Sequence, residues 1–453
     1  MELKDKIEVV LNLSKKVDFK NSISLGANLY PLIRLSFFIH LIRKDYIYKH
    51  NFKIRLYEFL KSIFKYLINI KNSNKLPNNC DNLFLTFSTF KRNKINDKWF
   101  DLYTDSYIIK NKLKNFGIIE FPQRGIFKNP KTLSSKYLNP LIQFKARLYS
   151  LFFPSKIQNL DFEILNSYLE KYDYSISEQY LSKKVSELNF YKKYFKSILI
   201  KHKVKKVYVT SFSMNYSMSI IWAANELGLK TYELLHGSVY ENSPYYTNWD
   251  LNMEYKLLPK YFLVWNNNQA TYINSTVKKY PIGINDGNGF LEIFKKELIP
   301  LKKYHSSWNN TLIRKKNKTI LIILQREDIP DWLAEFIVMH TDINWIFRTH
   351  PGLNNDSYIL KLPNISSVLC LDNVYCSEFK NFILFYILKK IDCLIAWKST
   401  TIIEASLFDK KSIILTNQGI EYFQFYIDQK ILMFGYEEEL FVSSFNKIVY
   451  EKL

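Results

Sequence analysis

The stretch Asn344-Trp345-Ile346-Phe347-Arg348-Thr349-His350-Pro351 reads as a short buried strand that ends on a polar turn. Further on, Asp392-Cys393-Leu394-Ile395-Ala396 is a second such strand, and Trp397-Lys398-Ser399-Thr400-Thr401-Ile402-Ile403-Glu404-Ala405 carries the chain from it into a helix. Two apolar runs that each deliver polar groups to a loop predict parallel strands with those groups at their carboxyl ends. Open α/β sheets bind their ligands at the carboxyl edge of such strands.

Working outward, the same alternation of short apolar runs and helical periods recurs. Thr319 to Leu324, Val368 to Leu371 and Ser412 to Leu415 are further strands, with helices over Asp331 to His340 and Ser377 to Lys390. Upstream, Lys205 to Ser211 and Lys230 to Leu235 bracket a helix from Ser217 to Leu227 with Gly228 as its cap, a βαβ unit. That unit delivers His236-Gly237 to the end of its second strand. Leu83 to Phe87, Tyr107 to Ile109, Gly117 to Glu120 and Tyr261 to Trp265 are additional strands, and the region from Ile157 to Ile200 is helical.

The predicted fold class is therefore α/β, with two Rossmann-like domains facing a central cleft and a helical N-terminal extension. The segment from Tyr280 to Lys318, with Pro281, Gly283, Gly287, Gly289 and Pro300, is the interdomain boundary. The expected division is a basic helical extension over 1–78, a first Rossmann-like domain over 79–290 and a second over 310–435.

The 453 residues carry 64 Lys and Arg against 42 Asp and Glu, a net charge of +22 that favours an anionic partner. Part of that excess is the Lys and Asn enrichment of an AT-rich genome. No recognition helix, zinc finger or RNA-binding signature accompanies the charge, so nucleic acid is not an expected partner. Cys80, Cys370, Cys376 and Cys393 have neither paired spacing nor matching histidines, which argues against a disulfide framework or a metal centre. With no signal-like N-terminus and no long apolar span, the expected location is cytoplasmic. The run from Phe52 to Ile70 places Leu56, Phe59, Leu60, Ile63, Phe64 and Leu67 on one helical face. Such a face packs on a neighbouring domain, the plainer reading, or lies on an anionic membrane.

The chemistry sits at the strand ends. The second half has neither a dinucleotide-binding glycine fingerprint nor a P-loop. Anion binding falls instead to Ser399, Thr400 and Thr401 at a helix start, with Glu404 able to accept from sugar hydroxyls. The alternative for this cluster is N-capping, with Glu404 closing a box on Thr401. His350, fixed by Pro351 beside Arg348, can donate to a diphosphate oxygen, the alternative being a structural turn, and Arg326 either adds a cation to the same rim or is simply solvated. In the first half His236 suits removal of a proton from a hydroxyl, the alternative being a satisfied buried histidine. Glu233 reads as pointing into or along the sheet, and Glu241 and Asp250 are reserve carboxylates.

Taken together, the His-Gly after a strand, the Arg-Thr-His-Pro turn and the Ser/Thr cluster before a helix resemble inverting GT-B glycosyltransferases of bacterial capsule and lipopolysaccharide synthesis. The polysialyltransferases and teichoic-acid glycerophosphotransferases are more distant likenesses. The resemblance implies that His350, Ser399, Thr400 and Thr401 hold the donor phosphates and that His236 deprotonates the acceptor. The loop Gly237-Ser238-Val239-Tyr240-Glu241 departs from the glycerophosphotransferase pattern, and the polysialyltransferase acidic motif is absent. Neither Asp286 nor the Asp328/Asp331 pair has Asp-x-Asp spacing, so metal independence is expected. The expected partners are a nucleotide-sugar donor, a lipid-linked or oligosaccharide acceptor and, peripherally, an anionic membrane. Rival readings are glycerol- or ribitol-phosphate transfer on the same fold, and a non-catalytic component of a polysaccharide assembly complex.

Overall fold

The computed structural model describes residues 2–43, 60–61, 63–64, 66–87, 92–95, 97–121, 130–237, 239–240, 242–249, 255–277, 280–298, 318–324, 327–349, 361–376, 382–418 and 420–451. The chain divides into two compact units, Met1–Ile293 and Phe294–Leu453.

The first unit opens with helices α1 (Leu3–Lys16) and α2 (Tyr30–Arg43). Its sheet is built from β1 (Asn82–Phe87), β2 (Phe116–Phe121), β3 (Lys136–Tyr137), β4 (Lys206–Val209), β5 (Lys230–Leu234), β6 (Tyr261–Val264) and β7 (Ile282–Asn285). The helices between them include α3 (Thr104–Lys110), α4 (Leu141–Phe152), α5 (Phe162–Leu169), α6 (Glu178–Lys201) and α7 (Asn215–Glu226). The strand order is β7-β6-β5-β4-β1-β2-β3, with every pairing parallel. Order reverses between β1 and β4, as in a doubly wound nucleotide-binding sheet.

The second unit repeats the plan with β8 (Lys318–Leu324), β9 (Ile343–Thr349), β10 (Val374–Tyr375), β11 (Cys393–Ala396), β12 (Lys411–Ile414) and β13 (Leu432–Phe434). The order is β10-β9-β8-β11-β12-β13, again all parallel. The helices α8 (Asp331–Met339), α9 (Pro363–Val368), α10 (Leu384–Lys390), α11 (Thr401–Ser406) and α12 (Glu438–Val449) lie between and after these strands. Strands buried on both faces need continuous apolar runs, and β8 supplies one in which every residue after Lys318 is buried. The expected α/β class with two Rossmann-like domains is what the chain adopts.

Three expectations are corrected. Tyr107 to Ile109 belongs to α3 rather than to a strand, and its apolar side joins the core with Ile108 3% exposed. Val368 closes α9, whose Pro363 sits in the first turn where proline is at home, and the strand comes later at Val374–Tyr375. Both errors concern apolar runs of three or four residues, too short for periodicity to separate helix from strand. The segment from Tyr280 to Lys318 opens with β7, which pairs with β6, and the two units divide within it after Ile293. Finally, Arg348 and Thr349 extend β9 instead of forming a turn.

One sheet face of the first unit carries a ladder of rings in register. Phe84 stacks on Tyr208 at 4.6 Å, Tyr208 on Tyr232 at 4.8 Å and Tyr232 on Tyr261 at 5.0 Å. These four residues are direct partners across β1, β4, β5 and β6. Offset and stacked ring pairs add to simple burial, so the ladder favours one register over its neighbours.

The N-terminal helices pack into the first unit through a buried cation. Arg34 of α2 is fully buried and donates to the carbonyls of Thr247 and Asn248 at 2.7 and 2.6 Å. Its guanidinium lies 4.0 Å from the Trp249 ring centroid. Burial lowers its pKa, while Tyr30 and Tyr255 act the other way.

Candidate functional site

Two groups of polar residues form, one in each unit. In the first, β5 sits next to the strand at which the order reverses, and its Glu233 pairs in register with Val209 of β4 and Phe262 of β6. An acid in this row has no solvent to face, and Glu233 is 0% exposed. Its carboxylate is met instead by three groups. Nδ1 of His236 lies 3.4 Å from Oε1, the Tyr246 hydroxyl donates to Oε1 at 3.3 Å, and the Phe212 N–H donates to Oε2 at 3.4 Å. Burial raises the Glu233 pKa, and these partners oppose that rise with His236 foremost among them.

His236 itself is anchored from both ends. Tyr103 donates its hydroxyl to the His236 carbonyl at 3.1 Å and sets its ring edge-on to the imidazole. The imidazole keeps 25% of its surface exposed while its Nδ1 side turns toward the carboxylate. An Nδ1 proton on the Glu233 side would leave Nε2 as a lone-pair base, the way a carboxylate behind a histidine orients it.

The support behind Glu233 is strained. Ser211, just past β4, has φ 106° and is 6% exposed. That conformation is nearly confined to glycine. It places the Phe212 N–H against the carboxylate. Sequence reasoning selected His236 but read Glu233 as a sheet residue, and it passed over Tyr103, Tyr246 and Phe212. The one usable signal was an acid inside the strand Thr231-Tyr232-Glu233-Leu234, where an unpartnered charge would be costly. Glu241 and Asp250 lie outside the described residues.

In the second unit the order reverses between β8 and β11, and the polar residues gather there. Arg348 of β9, Ile323 of β8 and Ala396 of β11 are register partners, so Arg348 stands two strands from the loop that carries Ser399. Arg348 donates to the Phe382 carbonyl at 2.9 Å. Burial brings its pKa down to about 10, with the charge of Glu404 acting to raise it. The Arg348 and Glu404 motifs, far apart in sequence, thus come near enough for their charges to interact.

Ser399, Thr401 and Glu404 are 8%, 6% and 7% exposed, and Thr400 is the member with more open surface. Ser399 Oγ donates to Thr401 Oγ1 at 3.0 Å and accepts from the Thr401 N–H at 3.3 Å. The capping box drawn between Thr401 and Glu404 does not form in that way, because Ser399 accepts from the Thr401 N–H and the helix begins after Thr400 without a side-chain cap. The helix that follows is only six residues long, so the hydroxyls rather than a helix dipole would carry anion recognition. Arg326 and His350 lie outside the described residues. Among those described, no group of three His, Cys, Asp or Glu is placed to hold a metal ion.

No known protein family matches the chain. No curated protein does either. Among solved structures it is similar to UDP-GlcNAc 2-epimerase from Neisseria meningitidis bound to UDP-GlcNAc, at 13% identity, 81% of this chain, 91% of that one and a TM-score of 0.46. The Methanocaldococcus jannaschii UDP-GlcNAc 2-epimerase gives 12% identity over 82% and 93% with a TM-score of 0.49. The wall teichoic acid polymerase TagF gives 10% over 85% and 81% with a TM-score of 0.41. Such values assign neither a reaction nor a substrate to this chain.

Proposed function

We propose that the chain is an inverting, metal-independent glycosyltransferase of the GT-B type. It would move a sugar from a nucleotide-sugar donor to a lipid-linked or oligosaccharide acceptor of a surface polysaccharide, in contact with the inner face of the membrane. The observation that carries this reading is the buried Glu233 carboxylate beside Nδ1 of a half-open His236. A structural histidine needs no buried acid behind it, whereas a base that must gain a proton during turnover does.

In this reading His236 Nε2 takes the proton of the acceptor hydroxyl as the oxygen attacks the donor's anomeric carbon. The bond from that carbon to the nucleotide phosphate breaks, and the phosphate leaves with its electron pair. Glu233 stabilises the imidazolium so formed. Arg348, Ser399, Thr400 and Thr401, together with Arg326 and His350 from the sequence pattern, would hold the donor's phosphates, and Glu404 would set the Arg348 guanidinium.

The test is a thermal-shift series with CMP, CDP, UDP and GDP, followed by donor hydrolysis with the nucleotide that binds. A ligand that binds only the folded chain raises its melting temperature. Release of a free sugar supports the reading, release of a polyol phosphate replaces the donor class, and a flat response to all four nucleotides removes the donor site.

A further inference from the structure

We infer that one outward face of the first unit is a docking surface for an anionic lipid bilayer. This locates the membrane contact included in the proposed function, yet it rests on surface chemistry and not on sugar transfer.

Helix α4 is amphipathic with its large apolar side outward. Its Ile142, Ala146 and Ser150 are buried. On the other side Leu141 is 40% exposed, Phe144 48%, Leu148 38%, Leu151 56% and Phe152 74%, with Phe153 after the helix at 62%. At about 3.6 residues per turn the five helical residues fall in one stripe roughly 100° wide. Lys145 and Arg147, both exposed, come off the helix on either side of that stripe.

A second apolar stripe lies close by. Among the helical residues 60–61, 63–64 and 66–69, Leu60 is 55% exposed, Phe64 65%, Leu67 61% and Ile68 53%, all on one face. The plainer expectation, that this face packs against the protein, therefore fails for Leu60, Phe64 and Leu67. The chain leaving the run is fastened to the edge strand β3: the Tyr137 N–H donates to Ser73 Oγ at 2.8 Å, and the Asn74 N–H donates to the Ser135 carbonyl at 3.0 Å. Helix α4 begins directly beyond β3, so both stripes adjoin one edge of the sheet.

Charge decides the occupant. From Phe59 to Cys80 there are four lysines and no acid, and from Phe121 to Leu160 there are seven Lys and Arg and no acid. In a chain with 42 Asp and Glu, two acid-free stretches that both border exposed apolar stripes select against an acidic surround. Apolar side chains flanked by cations match the interface of an anionic leaflet, where the rings enter the headgroup boundary and the amines meet phosphate. Among the described residues no helix is long and apolar enough to cross a membrane, so contact through these helices is with the surface.

Vesicle flotation tests the assignment, using the full chain with phosphatidylcholine vesicles and with vesicles containing phosphatidylglycerol. The chain floats with the anionic vesicles, far less with the neutral ones, and high salt weakens the association. The pair Phe152→Glu and Phe153→Glu, both at exposed positions, lowers the bound fraction about tenfold or more while circular dichroism stays unchanged. The pair Lys145→Glu and Arg147→Glu removes the preference for anionic vesicles. Equal flotation of the phenylalanine variant and the parent overturns the proposal. So does a dimer in sedimentation velocity that the phenylalanine variant dissolves, because the face would then belong to a second copy. Loss of vesicle binding with transfer to a soluble acceptor retained leaves the transfer reading intact, and the reverse leaves the docking surface intact.

Discussion

Oε1 of Glu233 lies 3.4 Å from Nδ1 of His236, and the carboxylate has no exposed surface while the imidazole keeps a quarter of its own. His236→Ala should lower kcat by on the order of 10²–10⁴-fold with the fold retained. Glu233→Gln should lower kcat at least about tenfold, since the histidine loses the carboxylate behind it. Full activity in either variant removes that residue from the proposed role.

The same pair predicts a stability change. Burial raises the folded pKa of Glu233 above the ordinary 4.5, so the folded chain holds the proton more tightly than the unfolded one. This contribution is fully present below the unfolded value and is lost as pH rises through the folded one. Denaturation midpoints of Glu233→Gln and the parent should diverge across that window, with the variant losing less stability on the way up.

Arg348 and Glu404 give a separate test in the second unit. Glu404→Ala removes the charge that offsets the desolvation of Arg348 and should lower stability by on the order of 1 kcal/mol in chemical denaturation. Ser399→Ala loses the Thr401 contacts alone, at about 1 kcal/mol. If the cluster binds phosphate, Thr400→Val weakens nucleotide affinity about tenfold in titration calorimetry with the melting temperature of the free protein unchanged. An unchanged affinity restricts the cluster to a structural turn.

Arg34 anchors α2 to the loop that carries Thr247, Asn248 and Trp249. Arg34→Ala leaves the Thr247 and Asn248 carbonyls short of their donors and empties the place over the Trp249 ring. The expected loss is about 3 kcal/mol by chemical denaturation. Arg34→Lys loses less, because it keeps a cation but cannot span both oxygens with one planar fork.

Ser211→Gly should raise stability by about 1 kcal/mol, the relief of φ 106° exceeding the entropy that glycine adds to the unfolded chain. The gain is read as a higher denaturation midpoint. Lower activity alongside it would tie the strained turn to the placement of Phe212 against Glu233.

Most of the sheet architecture was legible because parallel strands buried on both faces must be long apolar runs. Residues 319–324 could hardly be anything else, while the four-residue runs 344–347 and 393–396 were read as strands with the help of the polar groups that follow them. Edges were harder: β3 and β13 are two and three residues long and carry too little pattern. The Glu233 role was hidden because a strand's alternation says which face a residue takes, not which loop returns to cover it. For α4 the sequence shows amphipathicity but not orientation. A helix whose small side faces inward looks the same on a wheel as one whose large side does.

The ring ladder from Phe84 through Tyr208 and Tyr232 to Tyr261 gives the first unit an optical signature. Tyrosine transitions at separations of about 5 Å couple when their planes are nearly parallel, and the planes here tilt by 12° and 23° between successive tyrosines. Near-ultraviolet dichroism therefore reads the alignment of β4, β5 and β6 as a group. A slip of one residue in any of these strands would turn its ring to the opposite face and extinguish the coupling.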